Sequence, residues 1–253
     1  MYPELRKKYI LDFLDTYDSV SVNDVALYCK VTAMTIRRDF DELEAAGKLV
    51  RVHGRAVKPE ALGTLYNFDQ KATQNKYLKE LICKKAATLI NDNDIIFIDC
   101  GTTLSHLAKN LSAFKNLLVI TNSLPVVTEL LNFPNIKVNI IGGEVDTGRK
   151  AIYGPLAEKT ISSYYVNKAF IGADGISVES GLSSYDVKES AITLCMAQNA
   201  DKVILITDSS KIGKVTYARF ASIDILHTIV TDHKIDHEMK DKLIQMNIQV
   251  ITN

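Results

Sequence analysis

Apolar residues recur along this chain with two different periods, and the change of period divides it. In the N-terminal part the spacing is helical: Tyr9, Ile10, Phe13 and Leu14, with Leu5 behind them, share one face of a helix predicted over Pro3–Tyr17. A second helical pattern runs from Val22 to Cys29, with Ser21 before it and Asp24 three residues on, a capping-box arrangement. Lys30 and Val31 then form a tight turn. Thr32 caps a third helix in which Ile36, Phe40 and Leu43 stand at i, i+4 and i+7, and Gly47, free to take a positive φ, ends it. Leu49, Val50, Arg51 and Val52, then His53-Gly54-Arg55, then Ala56 and Val57, predict a small hairpin. Helix, helix, turn, helix, hairpin is the order of a winged helix-turn-helix.

Past Lys58 the pattern weakens. Pro59, Gly63, Thr64 and Asn67 among scattered apolar residues suit a linker over residues 59–74, and a helix follows over Asn75–Ile90 on Leu78, Leu81, Ile82 and Leu89. From Ile95 onward short apolar runs alternate with helical patterns. Strands are predicted at Ile95–Ile98, Leu117–Ile120, Ile136–Ile141, Ala169–Ile171, Val203–Ile206 and Ile229–Val230. Helices are predicted near Thr103–Leu111, Leu124–Leu131, Pro155–Tyr165 and Val187–Gln198. Strands alternating with helices imply crossovers and a parallel sheet covered on both faces. The expected fold class is α/β: a winged helix-turn-helix over residues 1–58, then, over 75–253, a mostly parallel open α/β sheet.

Composition narrows the function. The 253 residues carry 30 Lys+Arg against 30 Asp+Glu, a formal net charge of +0, so any surface for nucleic acid must be local. Cys29, Cys83, Cys100 and Cys195 are far apart and form no CxxC pair, which argues against a zinc site and a disulfide framework and suits reduced cytosolic thiols. The segment MYPELRKKYILDFLD is too interrupted by charge for a signal peptide or a membrane span, so the expected location is the cytoplasm.

A local basic surface is present. Thr35, Arg37 and Arg38 project away from the apolar stripe of the third helix, and from Lys48 to Lys58 the positive residues Lys48, Arg51, Arg55 and Lys58 occur without an Asp or Glu. A helix for the major groove and a basic hairpin for phosphates fit double-stranded DNA. The candidate contacts are Thr32, Met34, Thr35, Arg37, Arg38, Lys48, Arg51, His53 and Arg55. The competing account is that Arg37 and Arg38, four residues before Asp41 and Glu42, make exposed helix pairs of roughly 0.3 to 0.5 kcal/mol.

In the second half, small and hydroxylated residues follow strand after strand: Asp99-Cys100-Gly101-Thr102-Thr103, Thr121-Asn122-Ser123, Gly142-Gly143, Gly172-Ala173-Asp174-Gly175 and Asp208-Ser209-Ser210-Lys211. Each alone is an ordinary turn. Ligands of open α/β sheets collect at the carboxyl edge, and together these residues offer a lysine for phosphate, N-H and O-H donors, and carboxylates for sugar hydroxyls. The combination suits a small phosphorylated polyol or sugar. His233 and His237, four apart on an expected late helix, have the spacing of two metal ligands but stand among Asp232, Lys234 and Asp236, as on a solvated face, and no metal or cofactor is expected. His106, three residues after Thr103, suits packing better than the ligand edge.

The run VTAMTIRRDFDELEAAGKLVRVHGRAV resembles the N-terminal signature of DeoR-type bacterial transcriptional regulators, departing from it at Thr32 for the usual Ser, Phe40 for Leu and Arg55 for the second Gly of the wing. IDCGTT, ITNS, IGGEV, YGPLAE, KAFIGADGIS, GLSSYDVKE, TDSSKIGK and IVTD resemble blocks of the effector domain of that family, so the resemblance spans nearly the whole chain. It implies a domain similar in fold to ribose-5-phosphate isomerase, glucosamine-6-phosphate deaminase and the CoA transferases, sensing phosphorylated sugar intermediates. The phosphate and polyol roles would fall on Asp99, Gly101, Thr102, Thr103, Asn122, Ser123, Gly142, Gly143, Asp174, Gly175 and Lys211.

The expected protein is a homo-oligomeric regulator, a repressor by the commoner sense of the family, whose affinity for operator DNA responds to a sugar phosphate. Two alternatives stand beside it: an isomerase-like enzyme using Asp99, Asp174 and Lys211 and carrying a DNA-binding head, and a sugar-binding module whose basic head contacts RNA or protein.

Overall fold

The computed structural model describes residues 1–16, 20–52, 55–57 and 68–252. Contacts group them into two units, Met1–Asn67 and Phe68–Asn253.

The first unit holds helices α1 (Pro3–Thr16), α2 (Val22–Cys29) and α3 (Ala33–Ala45) and strands β1 (Val20–Ser21), β2 (Val50–Val52) and β3 (Arg55–Val57). Local chemistry sets the helix ends. The Ser21 hydroxyl accepts the Asp24 N-H at 3.0 Å, and the Thr32 hydroxyl accepts that of Thr35 at 3.2 Å. Between α2 and α3 the chain turns at Lys30, with φ 53°, where the Val31 and Lys30 N-H groups close on the Ala26 and Leu27 carbonyls. Gly47, at φ 66°, ends α3 as the sequence predicts. Ile10, Leu14, Val25, Ile36, Phe40, Leu43 and Leu49 form the buried core, so the predicted stripe of α3 faces inward. Leu5 does not join it and is 57% exposed. The hairpin gains a third strand that periodicity could not reveal: β1, two residues long, pairs with β3 and gives the order β1-β3-β2.

One buried ion pair fastens α1 to α3. Arg6 donates from Nε and Nη2 to the two carboxylate oxygens of Asp39 at 2.7 and 2.9 Å, with both side chains almost wholly out of water. A buried, bidentate pair of this kind costs far more to break than to replace.

The second unit is built on seven of the described strands: β4 (Ile95–Ile98), β5 (Leu118–Thr121), β6 (Lys137–Ile140), β9 (Val166–Ile171), β12 (Ala200–Ile206), β14 (Thr228–Thr231) and β15 (Gln249–Thr252). Every pairing is parallel, in the order β15-β14-β12-β9-β4-β5-β6. The chain first builds outward from β4 and then returns to build from β9 in the other direction. The topological switch therefore lies between the adjacent strands β4 and β9.

Alternation along the strands makes two cores. Ile96, Ile98, Val119, Phe170, Ile204 and Ile206 face one way, under α5 (Lys76–Ala87), α6 (Thr102–Ala108) and α7 (Leu124–Leu130). Phe97, Ile120, Ala169, Ile171, Val203 and Leu205 face the other, against α8 (Pro155–Ile161), α9 (Val187–Gln198) and α10 (His237–Gln245). Burial on both faces is why these strands read as unbroken apolar runs.

The structure departs from the sequence reading at several places. Phe68–Thr73, inside the predicted linker, forms a short helix, α4; residues 58–67 lie outside the described residues. Edge strand β15, the pair β7 (Glu144–Asp146) and β8 (Ala151–Tyr153), and an antiparallel sheet of β10 (Gly175–Ser177), β11 (Gly181–Ser184) and β13 (Ala218–Ala221) were not legible as strands. His237 opens α10 behind its cap Asp236, and His233 precedes the helix, so the two histidines do not share a helix face.

Asp39→Ala strands the Arg6 guanidinium, and the first unit should lose about 3 kcal/mol or more. Faster hydrogen exchange of the α1 and α3 amides in the full chain would register this, whereas unchanged exchange would mean that the pair does not hold these helices together.

Candidate functional site

On α3 the two arginines of the sequence reading are exposed, and among the described residues neither makes an ion pair. Their expected partners are taken by others: Asp41 pairs with Arg51, and Glu42 with Lys7 at 2.5 Å. Helix pairing within α3 is therefore not what occupies Arg37 and Arg38. Met34 is 62% exposed, and the Thr35 hydroxyl lies 3.0 Å from that of its cap Thr32. Lys48 is exposed beyond the end of α3. Arg51 is a different case, since α3 brings two acids to the hairpin: besides the Asp41 pair, the Arg51 N-H donates to Glu44 at 2.8 Å. The absence of acids within the hairpin sequence did not reveal this. Arg55 lies on β3, half-buried, and His53 lies outside the described residues.

In the second unit the residues at the carboxyl ends of the strands separate into a charged cluster and a sealed scaffold. The cluster centres on Asp174, just past β9. Its side chain is 8% exposed; Oδ1 accepts from Lys71 of α4 at 3.1 Å and lies 3.5 Å from Lys211 Nζ. Oδ2 accepts from the Ser184 hydroxyl at 3.3 Å and the Tyr185 N-H at 3.4 Å. Burial alone would raise the pKa of this carboxyl, but the Lys71 and Lys211 ammoniums overcome burial and hold it well below the usual range.

A third lysine completes the cluster. Lys79 of α5 is only 4% exposed, and its ammonium donates to the Thr102 hydroxyl at 3.0 Å and the Lys71 carbonyl at 2.6 Å. Burial, and next the charge of Lys211, lower its pKa to about 8, while Asp208 works in the opposite direction. Asp208 is itself occupied in bonding Ser210. Three ammoniums thus share the neighbourhood of two carboxylates, a local excess of positive charge beside the β4–β9 switch point.

Sequence reasoning found Thr102, Asp174 and Lys211 here and missed Lys71 and Lys79. Lys79 did leave a signal: it stands four and seven residues before Cys83 and Ala86, in phase with the buried face of α5. Lys71 left none, because the helix that carries it buries no side chain.

The other predicted residues serve the scaffold. Asp99 is 1% exposed, and its oxygens accept from the Cys100 N-H and the Thr193 hydroxyl, both at 2.7 Å. It is not an open acceptor for a sugar. Burial, and next the charge of Glu189, push its pKa up to about 7. Gly101 precedes α6, and Thr103 is buried with its carbonyl accepting from Cys83 Sγ at 3.0 Å. Asn122 and Ser123 are fully buried and bind β8, Asn122 donating to the Ile152 carbonyl at 3.1 Å, while Ser123 also caps α7. Gly142 is exposed after β6. Gly143 and Gly175 permit close approach: a Cβ would stand 2.5 Å from the Tyr153 carbonyl at the first and 2.6 Å from the Ser183 hydroxyl at the second. His106 is buried, 3.9 Å from Glu80, and burial lowers its pKa.

Beside Asp174, Ser184 also donates to Glu189 at 2.9 Å, and Glu189 pairs with the buried Arg149. Tyr153 and Cys100 meet within the same network at 3.3 Å. A cleft of about 520 Å³ lies at the opposite, amino-terminal edge of the sheet, where Lys168 is paired with Asp94 and His227 Nδ1 accepts the Val203 N-H. Lys168 and His227 are thereby committed to the scaffold.

The comparisons with known proteins agree with this division. Residues 6–61 match the family described as the DeoR-like helix-turn-helix domain, and residues 74–233 the DeoR C terminal sensor domain. The chain is 31% identical over 250 residues to the HTH-type transcriptional regulator GolR of Listeria innocua, covering 99% of this chain and 98% of that protein. It is 29% identical to the HTH-type transcriptional repressor GlcR of Bacillus subtilis, over 99% and 96%, and 27% identical to the putative aga operon transcriptional repressor of Escherichia coli O157:H7, over 97% and 92%. Among solved structures, ribose 5-phosphate isomerase A of Methanocaldococcus jannaschii superposes with a TM-score of 0.41 at 18% identity over 55% of each chain, a likeness too slight to argue from.

The raised pKa of Asp99 has a measurable sign. Between about pH 4 and pH 7 the folded state keeps a proton that the unfolded chain has released, so this residue makes stability fall as pH rises through that window. Replacing it by Asn removes the contribution. Denaturant midpoints of wild type and Asp99→Asn should diverge in favour of the variant from pH 4 to 7 and then run parallel; curves parallel throughout would contradict the assignment.

Proposed function

The chain belongs to the DeoR family of helix-turn-helix transcriptional regulators, and from that premise we propose that it is a repressor of a carbohydrate operon whose operator affinity is set by a phosphorylated sugar. The observation that carries the effector class is the convergence of Lys71, Lys79 and Lys211 around Thr102 and Asp174. A phosphate monoester supplies the negative charge this cluster lacks, and its oxygens accept from ammonium and hydroxyl donors. From the other carboxylate oxygen of Asp174 the contacts run on through Ser184 to Glu189 and Arg149, polar partners for a hydroxylated chain.

The binding reading is preferred to an enzymatic one on chemistry. Asp174 is held ionised by two lysines, and Asp99 is enclosed by Thr193 and Cys100, so neither carboxylate is a free proton carrier within reach of an open cleft. Among the described residues no helix is long and apolar enough to cross a membrane, and the cytoplasm, where operator DNA and sugar phosphates meet, is the proposed location.

For DNA, α3 is the proposed recognition helix, with Thr32, Met34, Thr35, Arg37 and Arg38 at its exposed side and Lys48 and Arg55 near the backbone; the Arg51–Asp41 pair lowers the share of Arg51 in phosphate contact. One such head reads few base pairs, so paired half-sites and a homo-oligomer are part of the proposal.

Arg38→Ala should weaken specific operator binding by roughly 10-fold or more, and Lys48→Ala should lower the slope of log affinity against log salt by about 1. DNA titrations at several salt concentrations measure both, and an Arg38→Ala protein with wild-type affinity throughout would refute the groove assignment. For the effector, Lys79→Met should abolish the thermal stabilisation given by whichever sugar phosphate stabilises the wild type in a screen. Unchanged stabilisation would remove the cluster from the binding site.

A further inference from the structure

Helix α4, Phe68–Thr73, is six residues long and buries none of them. A helix of that length does not persist by itself in water, and here no apolar face holds it down. The ties it makes to the rest of the second unit are polar and lie at its two ends. At the outer end the Phe68 N-H donates to the Gly148 carbonyl at 2.9 Å, and Asp69 pairs with Lys150 at 2.6 Å. Lys150 also lies 5.4 Å from the Phe68 ring centre. At the inner end two bonds run into the lysine cluster, Lys71 Nζ to Asp174 and the Lys71 carbonyl to the buried ammonium of Lys79, and Lys71 Nζ also lies 5.8 Å from the Tyr185 ring centre. The residue before this helix, Asn67, is the last of the DNA-binding unit.

We propose that α4 is a clasp tightened by the effector: a phosphate group seated among Lys71, Lys79 and Lys211 bonds the side chain of Lys71 and fixes, through Lys79, its carbonyl, so that occupancy of the site is felt by the segment leading to the DNA-binding unit. The inference rests on the phosphate site proposed above and adds its regulation. The single negative charge of Asp174 serves both Lys71 and Lys211. A dianion beside it gives each ammonium further opposing charge and draws Lys71 more firmly into the cluster. Any arrangement of the chain that requires α4 to loosen is then disfavoured, and by linkage one that requires it fastened is favoured.

The test is hydrogen exchange of the full chain with and without saturating inorganic phosphate, ionic strength being matched with chloride. In wild type, phosphate should slow the amides of residues 102–105 and, by about tenfold or more, those of residues 69–73. Asp69→Asn, which breaks the Asp69–Lys150 pair at the outer end, should exchange faster over 69–73 without phosphate and still be slowed by it. Lys71→Met should show no slowing over 69–73 at phosphate concentrations that saturate the protection of 102–105. Protection of 102–105 in wild type without any over 69–73, or protection of 69–73 that survives Lys71→Met, would overturn the clasp while leaving the phosphate site standing. Absence of protection anywhere in the second unit would remove the site and the clasp together.

Discussion

An ammonium group taken out of water is the constraint on which the second unit turns. Lys79 is enclosed at the carboxyl edge of the sheet with only a hydroxyl and a carbonyl as acceptors, next to two further lysines. Burying a charge in this way is unfavourable unless opposing charge is at hand, and Asp208 supplies it incompletely. Thr102 turns its hydroxyl to Lys79 and α4 is drawn in by the Lys71 carbonyl, while Lys71 and Lys211 keep the neighbouring Asp174 ionised against its own burial. A site under this electrostatic tension suits an anion that comes and goes better than it suits a permanently satisfied structural role.

The sheet supplies the position. Because β4 and β9 run parallel as neighbours while their crossovers leave in opposite directions, the loops after them diverge at the switch point, where ligands of open α/β sheets collect. Rigid partners hold the loops at this edge. Asp99 ties the turn after β4 to Thr193 of α9, and Asp232, at the end of β14, bonds the Ser209 N-H and hydroxyl and so fixes the turn that carries Lys211. Of the two carboxylates that looked like ligand acceptors in the sequence, Asp174 balances the lysines and Asp99 sets loop geometry.

What could be read from the sequence was whatever burial dictates. The stripe of Ile36, Phe40 and Leu43, the caps Ser21 and Thr32, and the apolar runs of β4, β5, β9, β12 and β14 were legible because each is a local pattern. Strand β15 and the small antiparallel sheets were not, since strands of three or four residues are too short to show a period even where, as in β8, β10 and β11, every residue is buried. The site was legible in part. Thr102, Asp174 and Lys211 announce themselves as small or charged residues after strands, whereas Lys71 comes from a helix inside the predicted linker and Lys79 from the helix that follows it, and both become site residues only when the chain folds. Arg51 illustrates the same limit, because its partner Asp41 lies on a helix whose approach to the hairpin is a tertiary fact. Asp99 does too: what closes it, Thr193, is distant in sequence.

The central claim is that phosphate held by the lysine cluster changes the grip on DNA. It is tested most directly by measuring operator affinity of the full chain, at fixed ionic strength, in the presence of a stabilising sugar phosphate and of the same sugar without its phosphate. The account predicts that only the phosphorylated compound shifts operator affinity and that Lys79→Met, binding operator normally in its absence, does not respond. An equal response to both compounds, or a full response in the variant, would contradict it.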